Sequence, residues 1–297
     1  MNTLISAIIV NYNAGNLLRE CVASLLACPL DMEIIVVDNA SADGSLEALN
    51  DLPEINIIRN SKNLGFSAAC NIGIKASGGR YKLFLNPDCS FVPGSISRLL
   101  NCLQSNEQAG MVGGVLVNPD GSEQAGARRS VPTPWRSFVR AFGLTRFRNR
   151  WPRLFNDFYL HQQPMPDQPI EVEAISGACM LVKNEAIDDV GLWDEGYFLH
   201  CEDLDWCMRF RQKSWKILFD PSVKIVHALG VCGEGRPVFV EWHKHKGMMR
   251  FYRKFFRHQY PLPLMMLVFI GVWLRFALVF GCLIGKRIVN RLGLRNG

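Results

Sequence analysis

The chain has 297 residues, 48% of them hydrophobic, and a formal net charge of +6. That is enough for one large core or two small domains. Its ten cysteines include no C-x-x-C pair, which excludes zinc-knuckle spacing. The charge is unevenly spread: eleven of the 33 Lys/Arg but one of the 27 acids lie from Glu241 onward. The body is therefore mildly acidic and the tail strongly basic. A second basic run, Arg128 to Arg153, holds eight arginines and no acid. Such runs suit nucleic acid or an anionic membrane surface.

Leu4 to Val10 is apolar and predicts a strand, ended by Asn11-Tyr12-Asn13-Ala14-Gly15. Leu17, Leu18, Cys21, Leu25 and Leu26 fall near helical spacing, stopped by Pro29. Ile34 to Val37 is a second strand. Ser41 or Asp43 then predicts an N-cap for a helix through Leu49. Ile55 to Ile58 is a third strand, and Ser67 to Lys75 a helix after Asn63-Leu64-Gly65-Phe66. Tyr81 to Leu85 reads as a buried strand, stopped by Pro87 in Asn86-Pro87-Asp88. This β-α-β-α-β-α-β order predicts a parallel, right-handed, doubly wound sheet. The loops after its strands gather on one edge, which would carry Tyr12, Asp38, Asn39, Ser41, Asn63 and Asp88.

Pro93 to Gln104 predicts a helix and Gly110 to Val117 a strand, followed by the turn Asn118-Pro119-Asp120-Gly121. The arginine run interleaves with Trp135, Phe138, Phe142, Phe147 and Trp151. Gln162 to Pro169 reads as a loop and Val172 to Val182 as one strand through Ser176-Gly177-Ala178. Glu202-Asp203-Leu204-Asp205-Trp206 is an acid-rich helix start, favourable beside the positive end of a helix dipole. Two short strands, Trp215 to Phe219 and Val223 to Val226, lead to His227, and Trp242 to Phe256 is a basic helix. Pro261 to Gly285 is apolar except for Arg275. It is long enough to span a bilayer, which needs ~20 apolar residues. Lying in the interface with Arg275 snorkelling, or joining copies in a homo-oligomer, are the other readings. There is no G-x-G-x-x-G and no G-x-x-x-x-G-K-[ST], against dinucleotide and P-loop sites. The start lacks a basic signal-peptide region, so a reduced, cytosolic face is expected.

Four constellations carry chemistry. Asp38 closes an apolar strand, where a carboxylate needs a partner: a nucleotide base or ribose, or its own turn through Asn39 and Ser41. Tyr12 could stack on a base. Asp88 suits a divalent metal that also binds phosphates, or is plain turn chemistry. A carboxylate of Glu202-Asp203-x-Asp205, at a helix start, suits a general base, or helix capping and dipole complementarity. His227, after a strand, suits metal or phosphate, or is structural.

These patterns together resemble family 2 glycosyltransferases, the inverting GT-A type. The motifs are Ile8-Ile9-Val10-Asn11-Tyr12-Asn13, Val36-Val37-Asp38-Asn39-Ala40-Ser41, Asn63-Leu64-Gly65-Phe66, Asn86-Pro87-Asp88, Gly177-Ala178-Cys179-Met180, Glu202-Asp203-Leu204-Asp205-Trp206 and His227. The pattern is similar to the rhamnosyltransferase-like branch, which builds lipid-linked bacterial surface polysaccharides. The resemblance implies an α/β GT-A fold over residues 1–240, with a nucleotide-sugar half (1–117) and an acceptor half (118–240). Residues 241–297 would form a basic helix and a membrane-associating tail. Tyr12, Asp38, Asn39, Ser41, Asn63 and Gly65 would bind the nucleotide. Asp88, with His227, would hold Mg²⁺ or Mn²⁺. Asp203 would be the base, with Glu202, Asp205, Trp206, Arg128 and Arg129 binding the acceptor. The donor would be a nucleotide sugar, dTDP-rhamnose first among them, and the acceptor a polyprenyl-diphosphate-linked saccharide. The enzyme would sit on the cytoplasmic face of the bacterial inner membrane, bound to lipid and not to nucleic acid. One departure stands out: the family's metal motif is commonly D-x-D, and its first position here is Asn86.

Overall fold

A computed structural model describes residues 4–52, 55–228 and 236–291. The first half follows the predicted alternation: β1 (Ile5–Asn11), α1 (Leu17–Leu26), β2 (Met32–Asp38), β3 (Ile55–Arg59), α2 (Phe66–Lys75) and β4 (Tyr81–Leu85). These four strands are parallel, in the spatial order β3-β2-β1-β4. Every residue of β1 and β4 is buried, as central strands covered on both faces require.

The expected helix after Ser41 is absent; only a short 3₁₀ turn, Glu47–Leu49, forms. The predicted caps are occupied elsewhere. Ser41 Oγ donates to Asp38 Oδ1 (2.6 Å) and accepts from the Asn13 amide (3.0 Å), while Asp43 Oδ2 accepts from the Gly15 amide (2.7 Å). These bonds fasten the two loop ends together and leave no cap for a helix.

The chain continues through β5 (Cys89–Phe91), α3 (Ser95–Gln104), β6 (Ala109–Val117), β7 (Arg128–Arg129) and α4 (Pro134–Ala141). Then come β8 (Ile170–Glu171), β9 (Ala174–Ile175), β10 (Cys179–Lys183), α5 (Asn184–Val190), α6 (Glu202–Gln212) and β11 (Lys216–His227). The main sheet extends β3-β2-β1-β4-β10-β6-β11-β5, with β8 also on β11. It is mixed: β10 lies antiparallel between β4 and β6, and β5 antiparallel to β11. β7 and β9 form a separate two-stranded ribbon.

Two sequence expectations are corrected here. The strand expected over Val172 to Val182 is broken at Ser176–Ala178, and the two short strands before His227 are one strand with a register shift between Asp220 and Lys224.

Gly65 has φ +88°, and a Cβ there would lie 2.7 Å from the Phe198 carbonyl oxygen. The adjacent Phe66 amide donates to that same oxygen at 2.9 Å. Gly65→Ala is therefore expected to cost roughly 2–4 kcal/mol, from backbone strain plus overpacking. A lower urea midpoint at unchanged slope checks it.

The two C-terminal helices are α7 (Pro237–Phe255) and α8 (Leu262–Arg291). α7 starts earlier than expected and crosses the 240/241 boundary. It buries Phe251, Tyr252 and Phe255 in the body's core. Lys254 reaches both Asp194 (2.8 Å) and Asp205 (2.7 Å), clamping α7 to α6 and the loop before it. α8 lies on α7 through Trp242–Trp273 and Trp242–Phe276 ring contacts. Arg275 does not snorkel: it donates to Nε2 of the fully buried His245 at 3.2 Å, whose Nδ1 donates to the Glu241 carbonyl. Burial, with the Arg275 charge, lowers the His245 pKa, consistent with the neutral ring that this acceptor role needs.

Candidate active site

The parallel strands deliver their loops to one edge, and the residues there bind one another first. Asn11 Nδ2 and Ser41 Oγ both donate to Asp38 Oδ1, at 2.8 and 2.6 Å, and the Ser41 amide donates to Oδ2. Asp38 is thus buried in closing its own turn. Asn39 is buried; its amide donates to the Gly65 carbonyl (3.2 Å) and accepts from Asn60 (2.9 Å). Asn63 Oδ1 accepts from the Gly65 amide. Asn39 and Gly65, expected as nucleotide ligands, are corrected to structural clips that hold this edge in shape. Tyr12, Ser41 and Asn63 remain half-buried at its mouth.

β4 ends at Leu85, and Asp88 is brought to the end of β11 because the Ala228 amide donates to the Asp88 carbonyl at 3.0 Å. Asp88 Oδ1 lies 3.2 Å from His227 Nε2. Gln124 Nε2 donates to the His227 carbonyl and to Asn118 Oδ1, so its Oε1 faces His227 Nδ1 at 2.8 Å as an acceptor. Nδ1 therefore carries the proton, and a neutral His227 would present a lone pair to the Asp88 carboxylate. Two acceptors at this distance need a positive charge between them, a proton on Nε2 or a cation. Asp88 Oδ1 is buried without a hydrogen-bond partner, and Asp88, Cys89 and His227 place candidate ligand atoms within 4.8 Å of one another. The residues thus fit a divalent metal, with one carboxylate and one imidazole where D-x-D would give two carboxylates. Gln124 was missed in the sequence; it lies in a polar turn and reaches His227 only through the fold.

On the other side of β4, Ser176–Ala178 bridges two loops. The Ala178 carbonyl accepts from the Asn86 amide at 2.9 Å, and the Gly177 amide donates to Asp203 Oδ2 at 3.2 Å. This is why the predicted strand breaks here. A Cβ at Gly177 would lie 3.3 Å from that of Asp203. Arg129, from the β7–β9 ribbon, also donates to Asp203 Oδ2, and Asp203 Oδ1 accepts from the Leu204 amide at 2.8 Å. Burial raises the Asp203 carboxyl, but Arg129 and these amides outweigh it and hold the pKa below the ordinary value. Glu202 is driven the other way, raised by burial and then by the Asp203 charge. Burial and the Arg129 charge thus push the two neighbouring carboxyls in opposite directions. His200 (φ +67°) and Cys201 (φ +70°) precede them, two consecutive left-handed residues that turn the chain sharply into α6.

Three expected acceptor contacts are corrected. Trp206 is a core residue, 4.1 Å from Trp193 ring to ring, with its Nε1 donating to the Gly191 carbonyl. Asp205 is 0% exposed and is held by Arg209 and Lys254. Arg128 is buried against Glu123 and the carbonyls of Gln163 and Pro164. On α6, Asp205 lies round the helix from Asp203, while Trp206, one turn on from Asp203, is buried in the core beneath it.

The sequence profile of Glycosyl transferase family 2 matches residues 6–191, more than half of the chain. The chain belongs to that family. This glycosyltransferase is 30% identical over 241 residues to the N-acetylglucosaminyl-diphospho-decaprenol L-rhamnosyltransferase of Mycobacterium tuberculosis, covering 76% of each chain. It is 26% identical to the dTDP-rhamnosyl transferase RfbF of Shigella flexneri, over 85% of this chain and 78% of the relative. A mannosyltransferase structure from Pyrobaculum calidifontis, in complex with GDP-Man and Mn²⁺, superposes with a TM-score of 0.58 at 15% identity. It covers 99% of this glycosyltransferase and 76% of that chain. The structural likeness bears out the GT-A fold, and the sequence relatives bear out an enzyme similar to the rhamnosyltransferases of polysaccharide biosynthesis.

Proposed function

We propose that this glycosyltransferase moves L-rhamnose from dTDP-rhamnose to a polyprenyl-diphosphate-linked saccharide, with inversion, in bacterial surface polysaccharide synthesis. The names of the two rhamnosyltransferase relatives support donor and acceptor. The observation that carries the chemistry is Asp203, held by Arg129 and the Gly177 amide and joined through Ser176–Ala178 to the loop of Asp88 and His227.

Tyr12 and Asp38, with Ser41 and Asn63 beside them, receive the nucleoside. Asp88 and His227 hold a divalent metal; the imidazole nitrogen suits Mn²⁺ better than Mg²⁺. When bound, that metal stabilises negative charge on the leaving diphosphate. Asp203 takes the proton of the acceptor hydroxyl. The oxygen attacks the anomeric carbon from the face opposite the diphosphate, whose bond to the sugar breaks, and no covalent enzyme intermediate forms. Arg129 keeps Asp203 ionised and aimed. Residues 1–117 form the donor half and 118–240 the acceptor half, with α7 fastened to both α6 and the tail.

α8 carries a 26-residue stretch, Leu262–Arg287, long and apolar enough to cross a membrane and almost wholly unburied. Its bare stripe, Leu267, Ile270, Leu274 and Leu278, is opposed by the face that holds Trp273, Phe276 and Arg275 against the charged α7. A helix packed on α7 through Trp273, Phe276 and Arg275, with Phe269 beneath Arg253, is not surrounded by lipid on that side. We therefore read α8 as lying in the interface, monotopic, beside a lipid-linked acceptor. The nine described cysteines are free thiols, which supports a reduced, cytoplasmic face.

A panel of nucleotide sugars with Mn²⁺, read by thermal stabilisation and by hydrolysis, tests the donor. dTDP-rhamnose is expected to raise Tm most. A larger rise with UDP- or GDP-sugars would move the donor assignment, and no rise with any would overturn the transferase reading.

A further inference from the structure

The arginine-rich segment divides in two. Arg128, Arg129, Arg136 and Arg140 each pair with a carboxylate of the body: Glu123, Asp203, Glu173 and Asp157. Arg146, Arg148, Arg150 and Arg153 form no ion pair among the described residues. The first four arginines are therefore internal fastenings, and the last four a surplus of positive charge at the surface.

The same surface carries aromatics that a water-facing loop would not keep. Trp135 and Phe138 stack at 5.5 Å, Phe138 meets Phe142 at 4.5 Å, and Phe147, Trp151 and Phe155 form a second cluster at 5.8–6.3 Å. They are not core residues: Phe142 is 65% exposed, Trp151 47% and Trp135 44%. Arg146 and Arg150 lie over the Phe147 and Trp151 rings, at 4.8 and 5.3 Å. Exposed rings with unneutralised arginines between them match one environment, the headgroup layer of an anionic bilayer, where rings sit at the interface and guanidinium groups meet phosphates.

The segment is also fixed to the rest of the acceptor side. Thr133 caps α4, and Pro134 and Val139 are buried beneath it. Ser137 Oγ shares a 2.6 Å hydrogen bond with Tyr252 Oη of α7, the helix on which α8 lies. Upstream, the segment begins at the ribbon whose Arg129 holds Asp203.

We propose that Pro134 to Phe155 is a second lipid-contact surface, seated on anionic headgroups and joined to α8 through α7. This rests on the membrane reading of α8 but is separable from it. With both in place the protein holds the bilayer at two points, and the acceptor side of Asp203 is kept close to the lipid surface. α8 supplies apolar depth, which does not require anionic headgroups. The aromatic and arginine surface supplies the preference for anionic lipid, and that preference weakens with salt.

Hydrogen–deuterium exchange on the full chain tests this, with vesicles of phosphatidylglycerol and phosphatidylethanolamine against phosphatidylcholine alone. Residues 134–155 are expected to exchange about tenfold more slowly on the anionic vesicles, and α8 to be protected on both. In R146E/R148E/R150E/R153E the protection of 134–155 is lost while that of α8 stays. A second variant, W135S/F142S, keeps the charge and is expected to reduce the protection. Protection of α8 with none of 134–155 would overturn this proposal and leave the α8 reading standing. Equal protection of 134–155 on zwitterionic vesicles, or protection by RNA and not by lipid, would also overturn it. Protection of neither segment would overturn both.

Discussion

Asp203→Asn is expected to lower turnover by about 10²–10⁴-fold, the range lost when a positioned general base is removed. Donor affinity should stay nearly unchanged, since the residues proposed to hold the donor are Tyr12, Asp38 and Asp88. The amide is isosteric, but its one carbonyl oxygen can accept either from Leu204 or from Gly177 and Arg129, so a thermal melt of the variant is the control for the shape of the α6 start. A non-catalytic sugar-nucleotide scaffold would keep its function in this variant; wild-type turnover would remove Asp203 as base. The pH dependence sharpens the test. The Asp203 pKa is held below its ordinary value mainly by Arg129 against the opposing effect of burial. Activity of the free enzyme should therefore persist to unusually acid pH. Arg129→Gln removes the Coulombic partner and the hydrogen bond, so the acid limb of kcat/KM should move to higher pH. The groups facing Asp203 are Arg129, Glu202, and the Gly177 and Leu204 amides. A limb that does not move would mean that Arg129 is only structural.

Stability follows the same two carboxyls with opposite signs. Asp203, lowered on folding, contributes stability above its unfolded value, and that contribution is lost as pH falls through the folded one. Glu202, raised to about 8, contributes below its unfolded value, and that contribution is lost as pH rises through about 8. The helix start is thus stable only while one carboxyl is charged and the other is not.

Much of the fold was legible because its first half obeys local rules. β1, β2, β3 and β4 are runs of apolar residues ended by polar turns, and nothing distant alters them. The failures occur where a distant partner claims a local signal. Ser41 and Asp43 look like caps, but Asp38, Asn13 and Gly15 take them. Ser176–Ala178 looks like mid-strand, but Asn86 and Asp203 take its backbone. In the site, Asp38, Asp88, Asp203 and His227 stand at strand or helix ends, where period and position mark them. Asp205 and Trp206 share the same motif but are fully buried, which the motif's spacing does not reveal. Gln124 could not be read at all, because its role depends on the 103-residue separation that folding closes to 2.8 Å.

Asp88→Asn is expected to reduce transfer by about 10²-fold or more, comparable to the loss of one charge-stabilising group at a leaving anion. Asn86 stands where D-x-D would place a first carboxylate, and Asn86 Nδ2 instead faces His227 Nε2 at 3.4 Å. Among the described residues the Asp88 carboxylate is then the one anionic oxygen ligand beside His227, and the Asn variant gives up its charge. The fall should appear as weaker donor binding at low Mn²⁺, recovered in part at high Mn²⁺. His227→Gln should act in the same direction but less, since it removes a neutral ligand and frees Gln124 Oε1. EDTA should abolish wild-type transfer, and Mn²⁺ should restore it better than Mg²⁺. Full activity in EDTA would leave the His227–Asp88 pair as a proton-bridged structural contact, with the positive charge between them carried by Nε2–H alone. In that case Asp88→Asn should leave donor affinity independent of added metal, and the loss of the ion pair should register in stability alone.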